Sequence, residues 1–300
     1  MSNRTKAWSR WISGAASSSF LFNGARAIWE KNKSNGQLHL SKSQKALVGA
    51  YLVLNDFAEG KFPPTFEDQQ KLYEDEIDFT LMWPGLSAEE SFEVAQSKPF
   101  WFGRWGIQYL SDFLEITRYL EKLGLNPPKK LVEIGCGTGW LSEFLAIMGF
   151  EVIGTTLSPY DITAANCRVE SLKTKGIHKQ LNFCQAPMET VDKSLKAEDL
   201  ATFDGVFVYE ALHHAYSWQE TIQACFRCLK PGGWLLICAE PNLMHTVISY
   251  RVSILTKTHE IGFNRRMLIA YLKKTGFSKH KILKNQFAFG VKSIWLAAQK

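Results

Sequence analysis

From about residue 130 onward, short continuous apolar runs alternate with segments in which apolar residues return every three or four positions. Leu131, Val132 and Ile134 open the series, EVIGTTL (151–157) and LNFCQA (181–186) continue it, and FDGVFVYE (203–210) and WLLICAE (234–240) complete it. Runs of this length without a polar partner face suit strands buried on both sides, and the periodic segments between them, such as Trp140, Leu141, Phe144, Leu145 and Met148, suit helices. Regular alternation of the two predicts a parallel sheet with helices on both faces. Helix boundaries are written in the same region. Ser158 is placed to cap a helix with Pro159 at its first position, and Asn264 opens another that Gly276 closes. Two further short strands follow, ending at the C-terminus.

Upstream of residue 126 the pattern is helical throughout. SQKALVGAYLVLNDFAEG carries one apolar face and ends at Gly60, Pro63-Pro64 marks a break, and an acidic amphipathic stretch, FEDQQKLYEDEIDFTLMWPG, comes next. A regular helix follows the aromatic cluster Phe100, Trp101, Phe102 and Trp105 and is closed by Gly124 and Pro127-Pro128. The expected organisation is a basic, aromatic segment over 1–37, a helical appendage over 38–126 and an α/β domain over 127–300.

Three glycines at alternate positions, Gly135, Gly137 and Gly139, separate the first strand from its helix. They let the backbone turn sharply, and Gly135 and Gly137 let it approach a ligand with no side chain between. The following helix start, with unpaired N–H groups, favours an anionic or polar ligand. In an open parallel sheet ligands sit at the carboxyl ends of the strands. That edge receives Glu210, His213 and His214 from the fourth strand, and Glu240, Asn242 and His245 from the fifth.

The phrase Glu133-Ile134-Gly135-Cys136-Gly137-Thr138-Gly139 resembles the first motif of class I S-adenosylmethionine-dependent methyltransferases. Asp204 before its apolar run, and Leu229-Lys230-Pro231-Gly232-Gly233 before another, resemble later motifs of the same enzymes. The resemblance implies a Rossmann-like, seven-stranded, mostly parallel sheet whose last strand is antiparallel, with S-adenosylmethionine as cofactor. Where many relatives carry a ribose-binding acid at the end of the second strand, this chain has Thr156. The stretch Gly154 to Ser158 is similar to cyclopropane fatty-acid synthases, in which a threonine stands there. An Asp that receives the adenine amino group in many relatives is replaced by Pro187, which leaves Met188 and its backbone to hold the ring. Glu189 is either a substitute acceptor or an exposed acid at a helix start. The cofactor-binding residues implied are Glu133, Gly135, Gly137, Gly139, Thr156, Ser158, Met188, Glu189 and Glu210. His213 and His214 are the catalytic candidates, since a histidine can take the proton of a hydroxyl or amine as the methyl arrives. The aromatic cluster from Phe100 to Trp105 is expected to close over the site. The resemblance implies methyl transfer to a small-molecule or lipid-linked acceptor. The alternative is a non-catalytic cofactor-binding scaffold, and no residues resemble the sites of nucleobase methyltransferases, so no DNA acceptor is expected.

Composition adds restrictions. With 300 residues, 46% of them hydrophobic, the chain can bury a substantial core, and no stretch reaches the length of a membrane span. Its six cysteines mostly lie in apolar segments. Cys225-x-x-Cys228 falls on one helix face with no second pair to complete a zinc site, so both read as core and no metal is expected. A cytoplasmic location follows from that cysteine usage. The net charge of +6 is unevenly spread: residues 1–35 hold six Lys or Arg and one Glu, and residues 251–300 hold eleven and one Glu. Trp8, Trp11, Ile12, Ala15, Phe22, Ala25 and Trp29 fall near one helical face among these cations. A weak, peripheral contact with an anionic membrane is expected there, in competition with a targeting segment or a docked tail.

Overall fold

The computed structural model describes residues 20–35, 40–62, 68–80, 86–260, 262–284 and 293–300. Helices α1 (Phe20–Asn35), α2 (Lys42–Glu59), α3 (Gln69–Phe79), α4 (Ala88–Gln96) and α5 (Arg104–Lys122) precede the sheet. The α/β part then runs β1 (Lys130–Ile134), α6 (Trp140–Ile147), β2 (Glu151–Thr156), α7 (Pro159–Thr174), β3 (Leu181–Gln185), β4 (Phe203–Tyr209), α8 (Trp218–Cys228), β5 (Leu229–Pro241), α9 (Leu243–Thr256), α10 (Arg265–Thr275), β6 (Lys279–Lys284) and β7 (Ser293–Gln299).

The seven strands form one sheet in the order β3-β2-β1-β4-β5-β7-β6. The first five are parallel, and β7 inserts antiparallel between β5 and β6. The strand order reverses between β1 and β4, which opens a crevice at their carboxyl ends. Side-chain alternation divides the core. Val132, Val206, Leu235 and Ile237 face one layer of helices, while Leu131, Phe207, Leu236 and Trp295 face the other. β5 begins at Leu229 and pairs with β4 from Phe203↔Leu229, so Lys230-Pro231-Gly232-Gly233 lies within the strand, at a register shift, rather than before it.

Local chemistry sets the helix ends. Ser158 Oγ accepts from the Asp161 N–H at 3.3 Å with Pro159 at the first helical position, Asn264 caps α10, and Gly276 closes it in the left-handed region. Ser41 with Gln44, and Ser87 with Glu90, form capping boxes on α2 and α4.

The N-terminal helices are bound to the sheet through α9. Trp29, Val48, Leu52 and Tyr250 make a third apolar cluster among α1, α2 and α9. Ala25 and Trp29 are therefore spent on packing, contrary to the expectation that they share a membrane-facing surface with Trp8, Trp11, Ile12 and Ala15, which lie outside the described residues. The crossing of α2 over α9 depends on Gly49, where a Cβ would stand 1.5 Å from the Val247 carbonyl oxygen. Backbone cannot yield as a side chain does, so Gly49→Ala is expected to push the helices apart and cost about 1–3 kcal/mol in thermal or urea unfolding. An unchanged midpoint would mean that the crossing tolerates a methyl group.

Candidate active site

A cavity of about 480 Å³ opens at the carboxyl edge of β1 to β4. This lies in the size range of sites for small ligands. Its floor is the glycine turn. Gly137 has φ +51°, and a Cβ there would meet no protein atom within 4 Å, so any side chain would project into the space a ligand needs. Gly135, at φ +71°, packs so closely on the next loop that a Cβ would come 2.5 Å from that of Ala211. Gly139 does not line the cavity. It caps α6, and a Cβ would strike the Phe183 ring at 2.5 Å, so its part is to seat helix on sheet.

Glu133 reaches the cavity from β1 and accepts from Ser142 Oγ on α6 at 2.5 Å. Burial pushes its carboxyl up to about 8. Thr156 and Ser158 line the end of β2. One helical turn further, Asp161 also faces the cavity, with the Thr156 hydroxyl donating to it at 3.5 Å. Burial raises Asp161 to about 6, opposed by the Lys98 ammonium. The sequence signal was present in the Ser158-Pro159 cap, which turns the first turn of α7 back toward the strand end.

Met188 and Glu189 occupy a short 3-10 turn after β3 and both line the cavity. Glu189 is buried, which corrects the reading of it as an exposed helix-start acid. Its two oxygens accept from Tyr73 Oη at 2.7 Å and from the Ser217 N–H at 3.0 Å. Glu210 lines the cavity from a left-handed position, φ +48°, and burial raises its carboxyl to about 7, again opposed by Lys98.

The two histidines separate. His213 is absent from the cavity wall: its ring is buried, Nδ1 lies 2.9 Å from Glu240 Oε2, and burial lowers its affinity for a proton. It is therefore not placed to receive a proton from an acceptor in the cavity. Glu240, fully buried, also accepts from the N–H groups of Ala211 and Leu212, both at 2.8 Å, and of His213 at 3.2 Å, so one carboxylate fixes the loop that presents Glu210 and His214. His214 does face the cavity. Its Nδ1 is 3.2 Å from Glu76 and its Nε2 3.9 Å from Glu260, whose other oxygen meets His245 Nε2 at 2.7 Å. Burial alone would lower its pKa, but the two carboxylates outweigh that and hold its proton, pushing it up to about 9. Glu260 moves the opposite way, to about 2, because His214 and His245 override its burial. His213, His214 and Glu260 bring one candidate ligand atom each within 4.8 Å of one another. Their contacts form a histidine–carboxylate array among the described residues.

The roof comes from the helical appendage. α3 contributes Tyr73, Glu76, Ile77 and Phe79 to the cavity, and Glu76 accepts from the His259 N–H at 2.7 Å. Arg168 on α7 donates to the carbonyls of Thr138, Gln96 and Lys98, which fastens the end of α4 beside the glycine turn and sets Lys98 in the cavity wall. The Lys98 ammonium lies 5.1 Å from the Trp101 ring and 5.3 Å from the Tyr109 ring. Phe100, Phe102 and Trp105 are largely exposed and do not line the cavity, so the aromatic cluster does not close over it as expected. The roles of Tyr73, Glu76, Lys98 and Tyr109 carried no motif.

The doubly wound sheet, the glycine cradle after β1, and Asp161 and Glu210 beyond the ends of β2 and β4 make a Rossmann-like fold with its ligand crevice at the carboxyl edge. Residues 132–237 match the family model described as a methyltransferase domain. Over 135 residues it is 30% identical to the ubiquinone biosynthesis O-methyltransferase of Idiomarina loihiensis, covering 45% of this chain and 51% of that protein. Over 147 residues it is 32% identical to squalene methyltransferase 1 of Botryococcus braunii, covering 48% of this chain and 35% of that one. The chain thus spans about half or less of the length of these two relatives. Among solved structures, phosphoethanolamine N-methyltransferase 2 of Haemonchus contortus, in complex with S-adenosylmethionine, superposes with a TM-score of 0.53 at 20% identity, over 70% of this chain and 45% of that one. At that identity the likeness is one of fold.

Proposed function

We propose that this protein binds S-adenosylmethionine in the cavity at the carboxyl edge of the sheet and transfers its methyl group to a small-molecule or lipid-linked acceptor. The observation that carries the reading is the cradle itself: Gly137 leaves open space where any Cβ would intrude, and Asp161 and Glu210 stand around it. The residues fit the cofactor. The backbone from Gly135 to Gly139 would hold its amino-acid end together with Glu210 and Lys98, Thr156, Ser158 and Asp161 its ribose, and Met188 its adenine. Glu133, held by Ser142, and Gly139 support the cradle from behind. Bound there, the cofactor supplies a methyl group already activated by its sulfonium. What remains for the chain is alignment and the exclusion of water, which α3 provides as a roof. The relatives include a ubiquinone biosynthesis O-methyltransferase and a squalene methyltransferase, which supports an apolar acceptor. Ile77, Phe79 and Tyr73 give the roof a matching apolar face.

His214 is the histidine we place beside the acceptor. With Glu76 and Glu260 holding its proton, it acts near neutral pH as a charged group that orients acceptor and roof. The engaged oxygens of Glu189 and the engaged ring of His213 favour a second reading, a cofactor-binding scaffold without turnover. Incubation with methyl-labelled cofactor and fractionated lysate separates the two. Label in a lipid or small-molecule fraction supports the enzyme, label in nucleic acid or protein redirects the acceptor class, and tight cofactor binding with no labelled product supports the scaffold.

Among the described residues no helix is long and apolar enough to cross a membrane. We place the protein in the cytoplasm with a weak, salt-sensitive attachment to anionic membrane through the basic residues that precede α1. Each basic residue near such a surface contributes about 1 kcal/mol. Replacing Arg4, Lys6 and Arg10 together by Gln should reduce pelleting with anionic vesicles, and unchanged pelleting would assign these residues no part in it.

A further inference from the structure

We infer that the outer face of α5, with the loop before it, is an insertion surface for an anionic phospholipid bilayer. It rests on the methyl-transfer reading only in taking the cavity behind α5 as the active site.

Helical phase and exposure define the surface. Gly106, Tyr109, Asp112, Ile116, Tyr119 and Leu120 mark the buried side of α5. Ile107, Leu110 and Leu114, at spacings of three and four, fall on the opposite side and form a stripe that no other element covers among the described residues. Phe100, Phe102, Trp105, Ile107 and Leu114 each expose more than half of their surface, and Phe102 is fully exposed. Scattered exposed apolar residues need no explanation, but six large ones within fifteen positions make a patch that marks an interaction surface.

Charge selects the occupant. Between Ser97 and Leu114 the sole carboxylate is Asp112, which is buried and accepts from Tyr209 Oη at 3.0 Å and from Gln108 Nε2 at 2.9 Å. Arg104 is exposed at the head of the stripe, whereas Arg118, one turn after Leu114, is paired with Glu115 at 2.7 Å and closes the stripe without net charge. Aromatic and aliphatic side chains headed by the exposed Arg104, with no exposed acid from Ser97 to Leu114, match the interface of an anionic bilayer. The same segment forms a wall of the cavity from within, through Lys98 and Tyr109. Docking by the outer side of that wall sets the cavity against the layer in which an apolar acceptor dissolves.

The test uses the full chain and vesicles of phosphatidylglycerol with phosphatidylcholine, against phosphatidylcholine alone. Phe102, Ile107 and Leu114 are exposed, so Phe102→Ser, Ile107→Ser and Leu114→Ser combined should leave folding and cofactor affinity, followed by calorimetry, unchanged. The native chain should pellet with the anionic vesicles, and the triple variant should lose at least about 10-fold in partition coefficient, since each side chain removes apolar area from the interface. Equal pelleting of the two, or no pelleting of the native chain, overturns the inference. So does self-association of the native chain, lost in the triple variant and seen by sedimentation velocity without vesicles, because the stripe would then join two copies. Vesicle binding that survives while no cofactor binds would leave this surface standing and remove the methyl-transfer reading instead.

Discussion

Gly137→Val is expected to abolish measurable S-adenosylmethionine binding while the protein stays folded. The two consequences have separate causes. Position 137 has φ +51°, where a β-branched residue is strained, and the cost to stability should be about 1–2 kcal/mol. No protein atom lies within 4 Å of the new Cβ, so there is no clash to unfold the domain. The isopropyl group instead occupies the ligand's side of the turn, and the loss of contact there should raise the Kd by about 100-fold or more, roughly 3 kcal/mol. Gly139→Val is the informative contrast. Its Cβ would meet the Phe183 ring, so that variant should lose stability first and affinity only as a consequence. Calorimetry and thermal unfolding on both proteins distinguish the roles. Unchanged affinity in folded Gly137→Val would remove the cofactor from this cavity.

The contrast also marks what was legible in the sequence. Apolar runs, the alternate glycines, and the Ser158-Pro159 and Asn264 caps are local signals. They sufficed for the class of fold and the edge at which the cavity lies, though not for the start of β5. The roof was not legible, because its contacts join residues far apart: Tyr73 meets Glu189, and Glu76 meets His214 and His259. An acidic amphipathic helix reads as a solvated surface until the histidines it faces are known. The aromatic cluster misled for a related reason. α5 starts at Arg104, and this phase turns Gly106 and Tyr109 inward but Trp105 and Ile107 outward. Composition records that aromatics are present, whereas the helix start decides where they point. Asp161 was not legible because the strand ends at Thr156 and the carboxylate that faces the cavity stands beyond it, in the first turn of α7.

The stability of the native protein is expected to fall as pH rises from about 6.5 through 9, and His214→Gln should flatten the upper part of that fall, between about pH 8 and 9, where Glu133, raised to about 8, and Glu210, raised to about 7, have already given up their protons. The sign follows from His214, whose folded pKa is raised. It binds its proton more tightly when folded than unfolded, so its contribution is fully present below 6.5 and disappears as the folded group deprotonates near 9. A rise from 6.5 to about 9 corresponds to something on the order of 3 kcal/mol, or roughly 5 °C or more in Tm for a chain of this size. Glu260, whose pKa is lowered to about 2, belongs to the same set of contacts, so its share is lost instead as pH falls below 4.5 and is not added to that of His214. Glu76 sits on α3, so the loss has a location. Once His214 is neutral, Glu76 keeps the His259 N–H and Tyr73 keeps Glu189, but the roof loses its charged contact, and amide exchange should accelerate in α3 before the sheet responds. Thermal melts and hydrogen exchange between pH 6 and 10, on the native protein and His214→Gln, measure both effects. A native Tm that is flat between about pH 8 and 9, or a variant that falls in parallel with it there, would show that Glu76 and Glu260 do not hold a proton on His214.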